Sequence, residues 1–203
     1  MAGGDGVSRD LLEAKEALRR RMLAARNTIP AAERMRRSEE IARRVLTLPE
    51  AERAGRVFTF LSFGSEVSTE PLIASLRDAG VRVAVPVLEG PRMDAADLAA
   101  GAVLVPSGYG AMEPAERVPV PPEEIDLVVA PGLAFDREGR RLGYGGAYFD
   151  AFFPRLRPDC PVVAIGFAEQ LVDAVPVGPS DRRVGVVVTD GEVVRLSPDD
   201  PLL

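Results

Sequence analysis

The chain contains no histidine and no tryptophan, and has one cysteine and one lysine. Without histidine, His-ligated zinc, a Ser-His-Asp triad and an imidazole general base are all excluded. Any metal must rest on oxygen ligands, which favours Mg²⁺. Cys160 has no partner for an internal disulfide, and in "RPDCPVVAIGF" it opens an apolar run as a buried structural thiol would. All but one of the 25 basic residues are arginine. The exception, Lys15, is not in a Gly-Lys-Ser/Thr context, so a Walker A loop is absent and a lysine Schiff base is confined to that position. No apolar run approaches the roughly 20 residues that cross a bilayer. The opening "MAGGDGVSRD" lacks the basic and apolar segments of a secretory leader, so a cytoplasmic protein without membrane contact is expected. A net charge of −6 opposes broad affinity for nucleic acid. The Arg-rich stretch from Arg9 to Arg56 is interleaved with Glu13, Glu16, Glu33, Glu39 and Glu40, as on a solvated helical face. Nothing calls for an obligate protein partner.

Across 203 residues, 46% are hydrophobic and 28% charged, the composition of a globular chain, and a single domain over residues 1–203 is expected. Residues 8–26 carry a capping Ser8 and Leu11, Leu18 and Met22 at helical spacing. Lys15 and Arg19, four apart, share one face. A second helix should follow Pro30, with Met35, Ile41, Val45 and Leu46 as its stripe and Pro49 ending it. From Arg56, "RVFTFLSF" reads as a strand, followed by a helix capped by Thr69 that stops at Gly80, then a strand "VRVAVPVL". An irregular Gly- and Pro-rich segment comes next, with a short apolar run "GAVLVP" and a turn-like "GYGAMEP". "IDLVVA" at 125–130 is apolar without alternation, as in a strand covered on both faces. A helix at 147–156, a buried strand "PVVAIGFA" and a hairpin "RVGVVVTDGEVVRL" turning at Asp190-Gly191 complete the pattern. The expected architecture is α/β, with a mainly parallel sheet flanked by helices and an N-terminal helical pair.

In such sheets ligands bind beyond the carboxyl ends of the strands, where "APGLAFDREGRRLGYGGAYFD" falls. Gly143, Gly145 and Gly146 let backbone N–H groups approach an anion, the next helix would present its positive end, and Arg141 adds a cationic fork. Asp150, one turn on, is within reach of a bound Mg²⁺. Phosphate suits this chemistry; a long surface turn is the competing reading, and the G-x-G-x-x-G spacing of a dinucleotide fold is absent. Lys15 and Arg19 could meet the same polyphosphate or remain exposed helix charges. Glu66, between a strand end and a helix, could recognise a ligand's amines or be a loop charge.

"PGLAFDREGRRLGYGGAYFD" closely resembles the signature of the 5-formyltetrahydrofolate cyclo-ligase family. "KEALRRRMLAARNTIP", "FLSFGSEVST", "GAMEP" and "FAEQLVDAVPVGPSDRRVGVVVT" extend the resemblance over nearly the whole chain. It implies ATP- and Mg²⁺-dependent conversion of 5-formyltetrahydrofolate to 5,10-methenyltetrahydrofolate, with release of ADP and phosphate. Carried over by position, it implies that Lys15, Arg19 and Arg141 bind ATP phosphates. The backbone of Leu142, Gly143, Tyr144, Gly145 and Gly146 would cradle the nucleotide, continued by Ala147, Tyr148 and Phe149. Asp150 would hold Mg²⁺, with Asp181 as a second candidate. Glu66 and Leu61 would contact the pterin, Tyr148 would pack or hydrogen-bond near the formyl group, and Arg141 and Tyr148 are the catalytic candidates. The signature usually reads Gly-Gly-Gly-Tyr-Tyr-Asp, whereas Ala147 and Phe149 stand here in place of the third glycine and second tyrosine. If that glycine needs a positive φ, alanine strains the loop; if it is a first helical position, it does not. These departures keep open a catalytically silent homologue that binds nucleotide or folate as a regulatory module.

Overall fold

The computed structural model describes residues 8–107 and 110–196. Helix α1 spans Arg9–Asn27, its first turn held by the Ser8 hydroxyl, which accepts the Leu11 N–H at 3.2 Å. Helix α2 spans Ala31–Leu46. Of its expected stripe Ile41 and Val45 are buried and Leu46 packs partly buried on the core, but Met35 is exposed, and the buried face also takes in Arg37, Ser38 and Ala42. Arg37 is covered because its guanidinium bridges two carboxylates. Pro49 both ends α2 and begins a one-turn helix, α3, at Pro49–Glu52.

Strand β1 (Arg56–Thr59) leads to helix α4 (Glu70–Asp78) and strand β2 (Arg82–Glu89). Thr69 occupies the position before α4 without capping it, because its hydroxyl instead donates to the Phe60 carbonyl at 2.7 Å. The segment expected to be irregular supplies four strands: β3 (Arg92–Asp97), β4 (Leu104–Pro106), β5 (Met112–Pro114) and β6 (Pro119–Val120). "RMDAAD" has no β-branched residue; pairing with β2 and burial of Met93, Ala95 and Ala96 override its weak strand preference. Part of the turn-like "GYGAMEP", at 108–109, lies outside the described residues.

Strand β7 (Leu127–Ala130) is buried along its whole length, as its unbroken apolar run requires. The long loop after it is partly regular, since β8 (Ala134–Phe135) and β9 (Arg141–Leu142) form a small antiparallel hairpin. Helix α5 is only Tyr148–Phe152, continued by a 3₁₀ turn to Arg155 where Pro154 interrupts it. Strands β10 (Val162–Ile165), β11 (Val186–Val188) and β12 (Val193–Arg195) complete the chain's elements, the last two joined through Asp190-Gly191 as expected.

The large sheet runs β12-β11-β10-β7-β1-β2-β3-β6. Its five central strands are parallel, and β12, β3 and β6 add antiparallel margins. On one face Ile41 and Val45 of α2 and Leu72 and Leu76 of α4 pack on Val57, Val83, Val129 and Val163. On the other, Phe58 stacks on Phe152 of α5, centroids 4.8 Å apart, above Val128 and Ala130. Burying each such side chain contributes about 1.5–3 kcal/mol. Chain order reverses between β1 and β7: from β1 the chain proceeds to β2 on one side, and from β7 to β10 on the other. A crevice therefore opens between their carboxyl ends.

Candidate active site

A cavity of about 460 Å³ occupies that crevice. Phe60 and Leu61 enter it from the end of β1, Pro131 from the end of β7, and Pro86 and Leu88 from β2. Met112 of the β4–β5 hairpin and Met93 of β3 close the apolar wall. Volume and lining suit a flat, ring-bearing small molecule.

The glycine loop forms the opposite wall, contributing Gly143, Tyr144, Gly146, Ala147, Tyr148 and Phe149. Gly145 has φ +108, and a Cβ on Gly146 would lie 2.6 Å from the Tyr148 ring, so both positions need the missing side chain. Ala147 takes φ 52, ψ 17: the third glycine of the signature is a left-handed position, and alanine occupies it under strain. Phe149 sits 6.0 Å from Phe58 and 5.9 Å from Phe153, an apolar setting that uses its ring. Leu142 points away from the cavity, into a cluster with Leu18 and Met22 of α1. With α5 limited to five residues, its dipole is a small contributor, and side-chain cations must supply the positive field.

Three cations reach this loop, Arg19, Arg141 and Arg26, and a fourth, Lys15, meets the turn before β11. Arg19 of α1 donates from Nε to the Gly143 carbonyl at 3.0 Å. Lys15, one turn earlier, pairs with Asp181 at 2.5 Å, and Asp181 also accepts the Gly178 N–H at 2.6 Å. Arg141 is buried; it donates to the Pro131 carbonyl at 3.2 Å and to Asp150 at 2.9 Å, while its Nε has no partner among the described residues. Its guanidinium also faces the rings of Phe149 and Phe153 at 5.7 and 5.6 Å. The expected fork is therefore fixed in direction before any ligand arrives.

At the other end of the cavity Glu66 is buried and accepts the Phe63 N–H at 3.0 Å. Burial pushes its carboxyl up, against the Phe63 bond, the Arg26 charge and the Tyr144 hydroxyl. Tyr144 is itself pushed up to about 12 by burial and by Glu66. Arg26, at the end of α1, donates to the Tyr144 hydroxyl and to Ser65 Oγ at 3.1 Å, and Ser65 donates to Asn27 at 2.5 Å. Phe63 and Tyr144 rest 5.6 Å apart. The strand-end loop and the glycine loop are thus joined side chain to side chain. Sequence reasoning missed Arg26, whose only signal was one more arginine in an Arg-rich helix. It also gave no role to Glu113, a buried cavity carboxylate that accepts the Leu88 N–H at 3.2 Å and pairs with Arg117.

For a metal, the described residues contain no cluster of three His, Cys, Asp or Glu ligands. Asp150 lines the cavity, with one oxygen on Arg141 and the other accepting the Arg182 N–H at 3.2 Å. A single carboxylate fits Mg²⁺, which keeps several waters and completes its shell with substrate phosphates. Asp181, engaged by Lys15 and Gly178, does not line the cavity.

A sequence model of the 5-formyltetrahydrofolate cyclo-ligase family matches residues 12–190. The 5-formyltetrahydrofolate cyclo-ligase of Escherichia coli K12 is 32% identical over 177 residues, covering 83% of this chain and 96% of that protein. Its counterpart from Mus musculus is 28% identical over 188 residues, covering 86% and 93%. The solved structure of Aquifex aeolicus 5,10-methenyltetrahydrofolate synthetase superposes with a TM-score of 0.81 at 31% identity, over 93% of this chain and 96% of that one. The matched span runs from α1 through the glycine loop to the β11–β12 turn, taking in both walls of the cavity: the chain belongs to the 5-formyltetrahydrofolate cyclo-ligase family.

Proposed function

We propose that the protein is an ATP- and Mg²⁺-dependent 5-formyltetrahydrofolate cyclo-ligase of cytoplasmic one-carbon metabolism, forming 5,10-methenyltetrahydrofolate, ADP and phosphate. The observation that carries this reading is the junction of two unlike subsites: an apolar cavity ending in a buried carboxylate, and a side-chain-poor loop flanked by Arg19 and Arg141. Glu66 would accept the amino and ring N–H donors of the pterin, and Leu61 would pack against its face. The loop backbone from 142 to 149 would hold the nucleotide. Arg19 and Lys15 would take its phosphates, the latter on release from Asp181. Arg141 would neutralise charge on the transferring phosphoryl group, and Tyr148 would border the formyl carbon. Mg²⁺ on Asp150 would supply charge neutralisation at the phosphate oxygens.

In the reaction the formyl oxygen attacks the γ-phosphorus and ADP leaves. N10 then attacks the activated formyl carbon, and loss of phosphate gives the methenyl bridge. Such chemistry rests on positioning and charge stabilisation, which a chain without histidine can provide. The left-handed geometry at Ala147 supports this reading over a silent homologue, because alanine here occupies the backbone region that a glycine at this position would favour. Incubation with 5-formyltetrahydrofolate and MgATP, followed at the methenyl absorption band, should show turnover that vanishes when ATP is omitted. Binding of both ligands without turnover would instead make the protein a regulatory homologue.

A further inference from the structure

Beyond Tyr148 the surface opens again. A second cavity of about 420 Å³ shares Met93 and Tyr148 with the first and continues over Ala151 and Phe152 to Arg92 and Arg155. Arg155 is anchored by the Met93 carbonyl at 2.8 Å, and its guanidinium lies 5.1 Å from the Phe152 ring centroid. Asp94 stands between the two arginines, 2.7 Å from Arg92 and 2.5 Å from Arg155, so two cations face one carboxylate. Glu89, the cross-strand neighbour of Arg92, is exposed and does not line either cavity. In a chain of net charge −6, an apolar passage ending in paired guanidinium groups is a local reversal of sign.

We propose that this second cavity receives the glutamate end of the reduced folate, its carboxylates meeting Arg92 and Arg155, with the aminobenzoyl ring between Met93 and Tyr148. This assignment rests on the cyclo-ligase function proposed above. A folate carries carboxylates at the end remote from the pterin, and with the pterin at Glu66 they must leave the apolar cavity. Ionised carboxylates are expensive to hold among apolar walls and favourable against guanidinium forks. Among the described residues the second cavity leads from Tyr148 to both arginines.

The test compares KM for 5-formyltetrahydrofolate with KM for 5-formyltetrahydropteroate, which lacks the glutamate, in wild type, Arg92→Glu and Arg155→Ala. Wild type should favour the glutamate-bearing compound by about 5-fold, the worth of one or two partly exposed ion pairs. In Arg92→Glu, whose position is exposed and whose fold a thermal melt verifies, the ratio should fall to one or below; Arg155→Ala should reduce it too. Equal KM values in wild type, or a parallel rise for both compounds in Arg92→Glu, would overturn the tail site alone. No turnover of either compound by wild type would remove the parent reading and this one together.

Discussion

Ala147 is the one non-glycine residue with a positive φ among the described residues. The left-handed region costs an L-residue about 1–2 kcal/mol, and glycine's extra unfolded-state freedom returns roughly 0.4–1 kcal/mol of that. Ala147→Gly should therefore stabilise the protein by about 0.5 kcal/mol and raise Tm by roughly 1–2 °C. A lower Tm in thermal melts would contradict the strain. Composition left this position open between a turn and a first helical residue, because its φ depends on the neighbouring side chains, here Tyr148 folded over Gly146. Glu66 carries a second residue-scale consequence. Burial raises its pKa above the usual 4.5, so folate binding should weaken on the acid side at a pH higher than an exposed glutamate would give. Stability moves the other way: a raised folded pKa contributes fully below the unfolded value and is lost as pH rises through the folded one. Glu66→Gln should lose that acid limb, raise KM for folate about 10-fold or more, and be no less stable than wild type at neutral pH. An unchanged pH profile would show that Glu66 does not meet the pterin.

At the level of elements, Arg37 fastens helix α2 to the far side of the sheet. It bonds Glu169 at 2.9 and 2.5 Å and Asp190 at 2.6 and 2.9 Å, and lies 5.0 Å from the Phe167 ring centroid. One buried guanidinium thus joins α2, the turn after β10 and the β11–β12 turn. Arg37→Met should cost about 2 kcal/mol, between the values for exposed and buried pairs, and lower Tm by roughly 4–8 °C. Arg37 holds the Glu169 carboxyl below its usual range. That contribution is present above the unfolded pKa and lost as pH falls through the folded one, so the gap between wild type and Arg37→Met should narrow in acid. A constant gap would assign the loss to packing alone. Nothing in the sequence separated Arg37 from its solvated neighbours, since helical spacing names a face and not a partner, and these partners lie more than 130 residues away. Strand β3 escaped for a related reason: its alanines and aspartates form a strand only because β2 and β6 lie alongside.

For the whole molecule, the run of strand, helix and unbroken apolar strand was enough to read a parallel α/β sheet. The reversal of strand order, which brings Glu66 and the glycine loop to one crevice, is a property of pairing and was not legible. Each half of the site showed its chemistry in its own residues, and their junction through Tyr144 appears only in three dimensions. That junction makes a claim about the protein as a unit. Tyr144 belongs to the nucleotide loop, yet its hydroxyl accepts from Arg26, its ionisation is coupled to Glu66, and its ring meets Phe63. A ligand that orders one loop should lower the entropic cost of ordering the other. A folate or a non-hydrolysable ATP analogue at 100 times its Kd should each stabilise by about 2.7 kcal/mol, a Tm rise of roughly 5–10 °C. Together they should exceed the sum by about 1 kcal/mol, equivalent to each ligand tightening the other roughly 5-fold. Tyr144→Phe keeps the ring and removes the hydroxyl, so both individual shifts should persist while the excess shrinks. Strictly additive shifts in wild type, or an excess untouched in Tyr144→Phe, would mean that the two halves of the crevice fill independently and that this contact couples nothing.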